Sequence, residues 1–505
     1  MKFGYSIFRA LITVWLLLLS VGFSLQGLAD AALGDGLKPD VRLLIDVSGS
    51  MKDSDPDNLR APALDLIVRL LPEGSKAGVW SFGHEVKQLV EHRVIDEAWR
   101  TAAEKAVADI DNSGQLTHIP AALEAATYDF TRLDPSYRTS IILLTDGKVD
   151  VSQSPMTNAR AAGALLSENA PNLGASGIPV HTIALSEEAD WTFLRSLAKA
   201  TGGIAEQAPS AEKLTEVFYQ SLEMVAPTAR VPIAGKQFKI DGSVQEFTAL
   251  IFFADETATV ELLGPDGTQY GPEQARPGWE WFRNRKFALV TVKQPQAGKW
   301  GLLAPGAEQT RVTVISDLRL DVDPLPNSLP VGKRAELGLR LRERGEILRD
   351  AEVLSVFDLL VEIDGPNGET GVVDVMAEYA VPEDGEYRVQ IPGMDTPGRY
   401  RITARLLGET LERELPMVVE ITGSPTNSRI STLGELQPEG DFRAPVLTFG
   451  AALVLIGFVV SAVLARRRRK KLEVWKRRKL NASNGNQNSV VSGMRATQED
   501  HDPNS

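Results

Sequence analysis

Two apolar runs in this chain end in carboxylates flanked by hydroxyls. Residues 41–45 lead into Asp46-Val47-Ser48-Gly49-Ser50, and residues 140–144 lead into Thr145-Asp146-Gly147. Between them, Thr117 stands just before an apolar-periodic stretch that starts at Ile119. Three hydroxyls and two carboxylates around one point would suit a hard cation, because such ions take oxygen ligands and magnesium commonly keeps waters in a near-octahedral shell. Ser48, Ser50 and Thr117 supply neutral oxygens, while Asp46 and Asp146 bind directly or hold the waters. With the carboxylates mostly behind waters, the ion keeps positive character and an open position that suits an acidic group on a partner.

These residues need a scaffold that brings them together. Residues 41–45 and 140–144 are nearly continuous apolar runs, as expected of strands buried on both faces of a parallel sheet, and 77–82 and 180–185 read as further strands. Residues 57–71, 96–110, 119–132, 158–169 and 211–225 show helical spacing of apolar residues. The alternation predicts a doubly wound, Rossmann-like α/β domain over residues 40–226, whose ligand site lies at the carboxyl ends of the strands. Taken singly, Ser48-Gly49-Ser50 could be a turn, Thr117 a helix cap and Asp146-Gly147 an ordinary turn. Their order on one scaffold is what points to a metal.

Asp46-x-Ser48-x-Ser50, Thr117 and Asp146 together resemble the complete metal-ion-dependent adhesion site of von Willebrand factor A (vWA) domains, the family that includes the integrin inserted domains. Met51 and the run Gly78-Val79-Trp80-Ser81-Phe82-Gly83 add to the likeness. The resemblance covers under half of the chain. It implies Mg²⁺, or else Mn²⁺ or Ca²⁺, a ligand presenting a carboxylate, and a final helix at 211–225 that slides when the ligand enters.

Enzyme chemistry finds no candidates. Cysteine is absent, and the five histidines form no His-Glu-x-x-His pair. There is no Gly-x-Ser-x-Gly elbow and no phosphate-cradling Gly-x-x-x-x-Gly-Lys loop, so neither a hydrolase nor nucleotide binding is expected. The net charge is −13, and ten Lys or Arg with one Glu lie between Arg466 and Lys479. The rest of the chain therefore carries roughly −22, which repels nucleic acid. Asp53, Asp55 and Asp57 lack the Gly and Glu of a calcium loop and read as solvated turn and helix N-terminal acids. Trp279, Trp281 and Phe282 read as sandwich packing in preference to an exposed recognition patch.

After Pro227 the pattern becomes all-β. Strand-like runs separated by turns such as Gly264-Pro265-Asp266-Gly267 predict a β-sandwich at 230–316 and an immunoglobulin-like sandwich at 317–422. A Ser/Thr/Pro/Gly-rich stalk follows at 423–443. Residues 445–465 are 21 uncharged residues, about 31 Å as a helix, and predict one transmembrane helix. The basic then disordered tail at 466–505 marks the cytoplasmic side by the positive-inside rule. Lys2 and Arg9, an apolar run and Ala29-Asp30-Ala31 read as a signal peptide over 1–31, with an uncleaved anchor as the alternative. This layout, which is similar to that of a group of bacterial envelope proteins, predicts a single-pass protein of the bacterial inner membrane with its N-terminal domains outside the cytoplasm. The expected role is capture of an acidic group on a protein or envelope polymer. The alternative is a non-catalytic structural or signalling subunit of a membrane complex.

Overall fold

A computed structural model describes residues 37–423, apart from 186–188, 209, 211–212, 254–258 and 275. The expected signal peptide, the stalk from 424 onward, the membrane span and the tail lie outside the described residues. Among the described residues no helix is long and apolar enough to cross a membrane.

The N-terminal part is built on one sheet. Its strands are β1 (Lys38–Asp46), β2 (Lys76–Phe82), β3 (Val86–Val94), β4 (Tyr137–Thr145), β5 (Val180–Ala184) and β6 (Ala205–Gln207), in the order β3-β2-β1-β4-β5-β6. Every neighbouring pair is parallel except β2 with β3. The helices are α1 (Met51–Ser54), α2 (Arg60–Leu70), α3 (Glu97–Ala106), α4 (Ile119–Ala126), α5 (Pro155–Ala164), α6 (Ala170–Ala175), α7 (Trp191–Thr201) and α8 (Leu214–Val225). Strand alternation splits the core in two. Val41, Leu43 and Ile45 pack with α2, α3 and α8, and Leu44, Ile141 and Leu143 pack with α4, α6 and α7. This burial on both faces explains the unbroken apolar runs.

Local signals set the helix ends. The Asp96 carboxyl accepts the Trp99 amide at 2.6 Å to start α3, and the Asp190 carboxyl accepts the Phe193 amide at 3.0 Å to start α7. Helix α4 stops at Ala126, short of the expected 132. The Thr127 hydroxyl turns back to the Leu123 carbonyl at 2.7 Å, and a separate 3₁₀ turn covers Phe130–Arg132. The expected helix at 158–169 starts earlier, at Pro155, where the Ser154 side chain caps it and proline sits in the first turn.

Two pairs of β-sheets follow. Strands β7 (Gln237–Ile240), β8 (Val244–Phe253), β9 (Glu261–Leu263), β10 (Gln269–Tyr270), β11 (Trp279–Arg283), β12 (Phe287–Lys293), β13 (Gly298–Leu303) and β14 (Ala307–Ser316) form the sheets β10-β9-β13-β7 and β11-β12-β8-β14 around one core. From β15 (Leu318–Val322) to β23 (Glu412–Thr422) a second pair encloses a separate core that includes Leu339, Val361, Tyr387 and Ile402.

The first pair of sheets is docked against the α/β part. On β8, Phe247, Ala249, Ile251 and Phe253 face the sandwich core, while Leu250 and Phe252 point the other way. There they meet Phe287 and Leu289 of β12, Leu66 of α2 and Tyr219 of α8. Sheet β11-β12-β8-β14 is thus apolar on both faces, and α8 is buried nearly all round. Trp279 and Trp281 pack on the sandwich core, and Phe282 lies under the Arg69 guanidinium, 3.6 Å from ring centroid to Cζ. Packing, and not an exposed patch, accounts for these aromatics.

Candidate metal centre

Strands β1 and β4 are neighbours, yet the chain leaves them in opposite directions along the sheet, β1 toward β2 and β4 toward β5. Loops that diverge in this way open a crevice at the carboxyl ends of the two strands. Asp46 is the last residue of β1, and Asp146 follows the last residue of β4. Topology alone therefore brings the two acids to one edge.

The side chains meet there. Asp46 is fully buried. Its Oδ1 accepts the Ser48 amide at 2.8 Å, and its Oδ2 accepts the Thr145 hydroxyl at 2.5 Å. The Ser48 and Ser50 hydroxyls are 3.0 Å apart, and the Ser50 hydroxyl donates to Asp146 Oδ1 at 2.9 Å. The other Asp146 oxygen accepts the Ser54 hydroxyl at 2.6 Å. Thr117 comes from the loop before α4, and a side chain at Gly147 would begin 3.9 Å from its hydroxyl oxygen. Hydrogen bonds thus join Asp46, Ser48, Ser50 and Asp146 of the five expected residues, and Thr117 lies beside Gly147 at the same end of the sheet.

Glycines let the loops approach. The Gly114 amide donates to the Val47 carbonyl at 2.9 Å, and a Cβ at Gly114 would lie 2.4 Å from that oxygen. Beyond Gly114, Leu116 has a positive φ of 41°, a strained conformation for a leucine, directly before Thr117.

The electrostatics fit a cation. Burial pushes the Asp46 carboxyl up to about 6, against the hydrogen bonds from Thr145 and Ser48, and nearby Asp146 adds to the rise. Burial also raises Asp146. Both shifts mean that the protein supplies too little positive charge for two ionised acids. Both Asp46 oxygens are already engaged, which suits holding metal-bound water better than direct ligation. Among the described residues no three His, Cys, Asp or Glu side chains cluster as a metal site, so an ion here must rely on hydroxyls. That donor set suits Mg²⁺, Mn²⁺ or Ca²⁺.

Residues 40–220 match the family model of the von Willebrand factor type A domain. This part of the chain is a vWA domain. Solved structures to which the chain is similar include a von Willebrand factor type A protein from Catenulispora acidiphila, at 17% identity over 62% of this chain and 64% of that one, with a TM-score of 0.32. Proximal thread matrix protein 1 from the mussel byssus, solved with a zinc-occupied MIDAS motif, is 20% identical over 40% of this chain and 51% of that one, with a TM-score of 0.30. The vWF domain of a type V pilus tip protein from Porphyromonas gingivalis is 15% identical over 37% of this chain and 94% of that one, with a TM-score of 0.28. The chain spans less than two thirds of the first two proteins. No curated protein matches it.

The vWA domain holds site residues that its sequence did not single out. Ser54 and Thr145 each bond a site carboxylate, and the only cue was a hydroxyl close to the motif in the chain. One expectation is corrected. Asp55 is not a solvated acid but is fully buried, with Oδ2 bonded to Arg60 Nε at 2.8 Å and Oδ1 to the Leu59 amide at 2.6 Å. A guanidinium folded under the loop supplies the partner that lets a carboxylate leave water. Asp53 and Asp57 are exposed. His118 caps α4, its Nδ1 accepting the Ala121 amide at 3.1 Å.

Proposed function

We propose that this chain is a non-enzymatic binding protein whose vWA domain holds a divalent cation, Mg²⁺ or alternatively Mn²⁺ or Ca²⁺, and through it an acidic group of a protein or envelope polymer. Ser48, Ser50 and Thr117 would ligate the ion, with Asp46 and Asp146 bonding its waters or ligating directly. Once bound, the ion offers an open position to a carboxylate. The observation that carries this reading is the fully buried Asp46 carboxyl, raised to about 6 and bonded only to neutral donors, at the crevice where β1 and β4 part. A site made for general acid–base work would need a base aimed at bound water, whereas this one presents hydroxyls.

The chain would carry this head outside the cytoplasm of a bacterial cell, exported through residues 1–31 and anchored in the inner membrane by 445–465, with the basic tail inside. The two sandwich domains, 230–316 and 317–422, stand between head and membrane.

Calorimetric titration of Mg²⁺ into the full-length chain tests the reading. Asp46→Ala and Asp146→Ala are expected to lower affinity at least 100-fold while circular dichroism stays native. Retained magnesium affinity in both variants overturns the assignment. Capture of a carboxylate-bearing polymer by the unaltered chain should be lost when EDTA is added.

A further inference from the structure

The hydroxyls of the metal site sit on two loops, and one side chain joins them. Arg60 opens α2 and yet is fully buried. Its Nη1 donates to the backbone carbonyl of Asp46, where the loop bearing Ser48 and Ser50 begins. Its Nη2 donates to Asn112 Oδ1 and, at 3.5 Å, to the Asp111 carbonyl, at the start of the segment that runs through Gly114 to Thr117. Nη2 also reaches Asn58 Oδ1 at 3.3 Å. Asp55 holds the group from behind, accepting Nε at 2.8 Å and the Arg60 amide at 3.0 Å. One planar, multi-donor group therefore fixes the spacing between the Ser48–Ser50 loop and the Thr117 loop. Lysine, a point charge on a flexible stem, cannot reproduce this set of bonds.

We propose that Arg60 is a positioning residue of the metal site, and that by fixing the spacing of the two hydroxyl loops it favours Mg²⁺ over Ca²⁺. The inference rests on the metal-binding reading above. Magnesium needs near-ideal octahedral ligands at about 2.0–2.1 Å, whereas calcium accepts six to eight at about 2.3–2.6 Å in loose geometry. Loops held at one spacing serve the smaller ion, and loops free to drift lose it first.

The experiment titrates Mg²⁺ and Ca²⁺ separately into the full-length chain and into Arg60→Lys, Arg60→Met and Arg42→Met. Arg42 is the control. It too is a wholly buried arginine, but it lies near the opposite end of β1, bonded to Asp40, Asp129 and the Ala126 carbonyl. Its loss should weaken the fold without touching the metal loops. Both Arg60 variants are expected to lower the ratio of magnesium to calcium affinity at least tenfold, mainly through magnesium, while Arg42→Met leaves the ratio within about twofold. An unchanged ratio in folded Arg60 variants, or an equal shift in Arg42→Met, overturns the proposal. Should the Arg60 variants not fold, Asn112→Ala decides. It removes one contact to the Thr117 loop and should lower the ratio at least threefold, and an unchanged ratio there also overturns the proposal. If the unaltered chain binds neither ion, the metal reading itself fails and the positioning role falls with it.

Discussion

Strand β1 carries a buried aspartate at each end, and the protein treats them in opposite ways. Near the amino end, Asp40 accepts Arg42 Nη2 at 2.8 Å, the Thr139 hydroxyl at 2.9 Å and His92 Nε2 at 2.6 Å. Burial alone would raise its carboxyl, but His92 and Arg42 outweigh burial and hold it below the usual carboxylate value. At the carboxyl end Asp46 has only uncharged donors, from Ser48 and Thr145, and burial wins. One end is a finished ion-pair network that anchors the strand. The other leaves negative charge for a cation to meet, at the edge where an open α/β sheet places its ligands.

The largest test of this contrast sets Asp40→Asn against Asp46→Asn. The first removes one of the two carboxylates that Arg42 pairs with, leaving Asp129, and should cost about 1–3 kcal/mol in urea unfolding, with divalent affinity unchanged. The second should abolish divalent binding and yet stabilise the metal-free protein. The folded Asp46 carboxyl, near 6, lies above its ordinary 3.8. Its contribution to stability is therefore present below pH 3.8 and lost as pH rises through 6. At pH 7.5 the amide removes the cost of the buried charge, a gain of about 1–3 kcal/mol. Equal destabilisation by the two variants would break the contrast.

A third buried group sharpens it at intermediate size. His181 on β5 is held neutral, pushed down to about 3 by burial and by nearby Arg138. Its Nδ1 accepts the Ile204 amide at 3.3 Å, so a second ring proton would face a donor, and Nε2 lies 3.4 Å from the Asn327 side-chain nitrogen. The folded value lies below the ordinary 6.5, so stability is full above 6.5 and declines as pH falls toward 3. Between pH 6.5 and 5 the unaltered chain should lose about 2 kcal/mol more than His181→Gln does. Identical pH slopes would contradict the assignment.

The smallest effects belong to single hydroxyls. Ser54→Ala removes a bond to Asp146 and should weaken magnesium binding by about fivefold to tenfold, with little change in stability. Thr139→Ala removes the matching bond to Asp40. It should cost about 1 kcal/mol of stability and leave magnesium affinity unchanged.

The motif Asp46-x-Ser48-x-Ser50 and the strands β1 and β4 were legible in the sequence because both signals are local. Asp46, Ser48 and Ser50 fall within one five-residue stretch, and β1 and β4 are buried on both faces, so every position reports burial. Strand β3 was not legible. It is the antiparallel edge strand, and Val-Lys-Gln-Leu-Val-Glu-His-Arg-Val mixes exposed and half-buried positions without a clean period. Helix α7 was also missed, although Phe193, Leu194, Leu197 and Ala198 are buried at helical spacing. The buried Asp55 was misread for a different reason. Asp55 looks solvated until Arg60, five residues on, folds under the loop, held there in part by Asn112 from a distant part of the chain. The docked face of β8 left a trace in the unbroken run Leu250-Ile251-Phe252-Phe253, which marks a strand covered on both sides without saying what covers it.

The connection after α8 bears on how such a molecule would carry mechanical load. Within a few residues of the helix, the Arg230 amide donates to the Glu414 carbonyl and the Glu414 amide donates back, while Val231 and Ala229 bond Val312 and Val314 on β14. Arg230 also forms an ion pair with Glu223 on α8 itself. The linker is thus woven between a strand of each sandwich and is not a swivel. Any strain passing from the vWA domain into the sandwiches must cross these backbone bonds. The direction in which the head faces is accordingly built into the weave and is not left to a flexible tether.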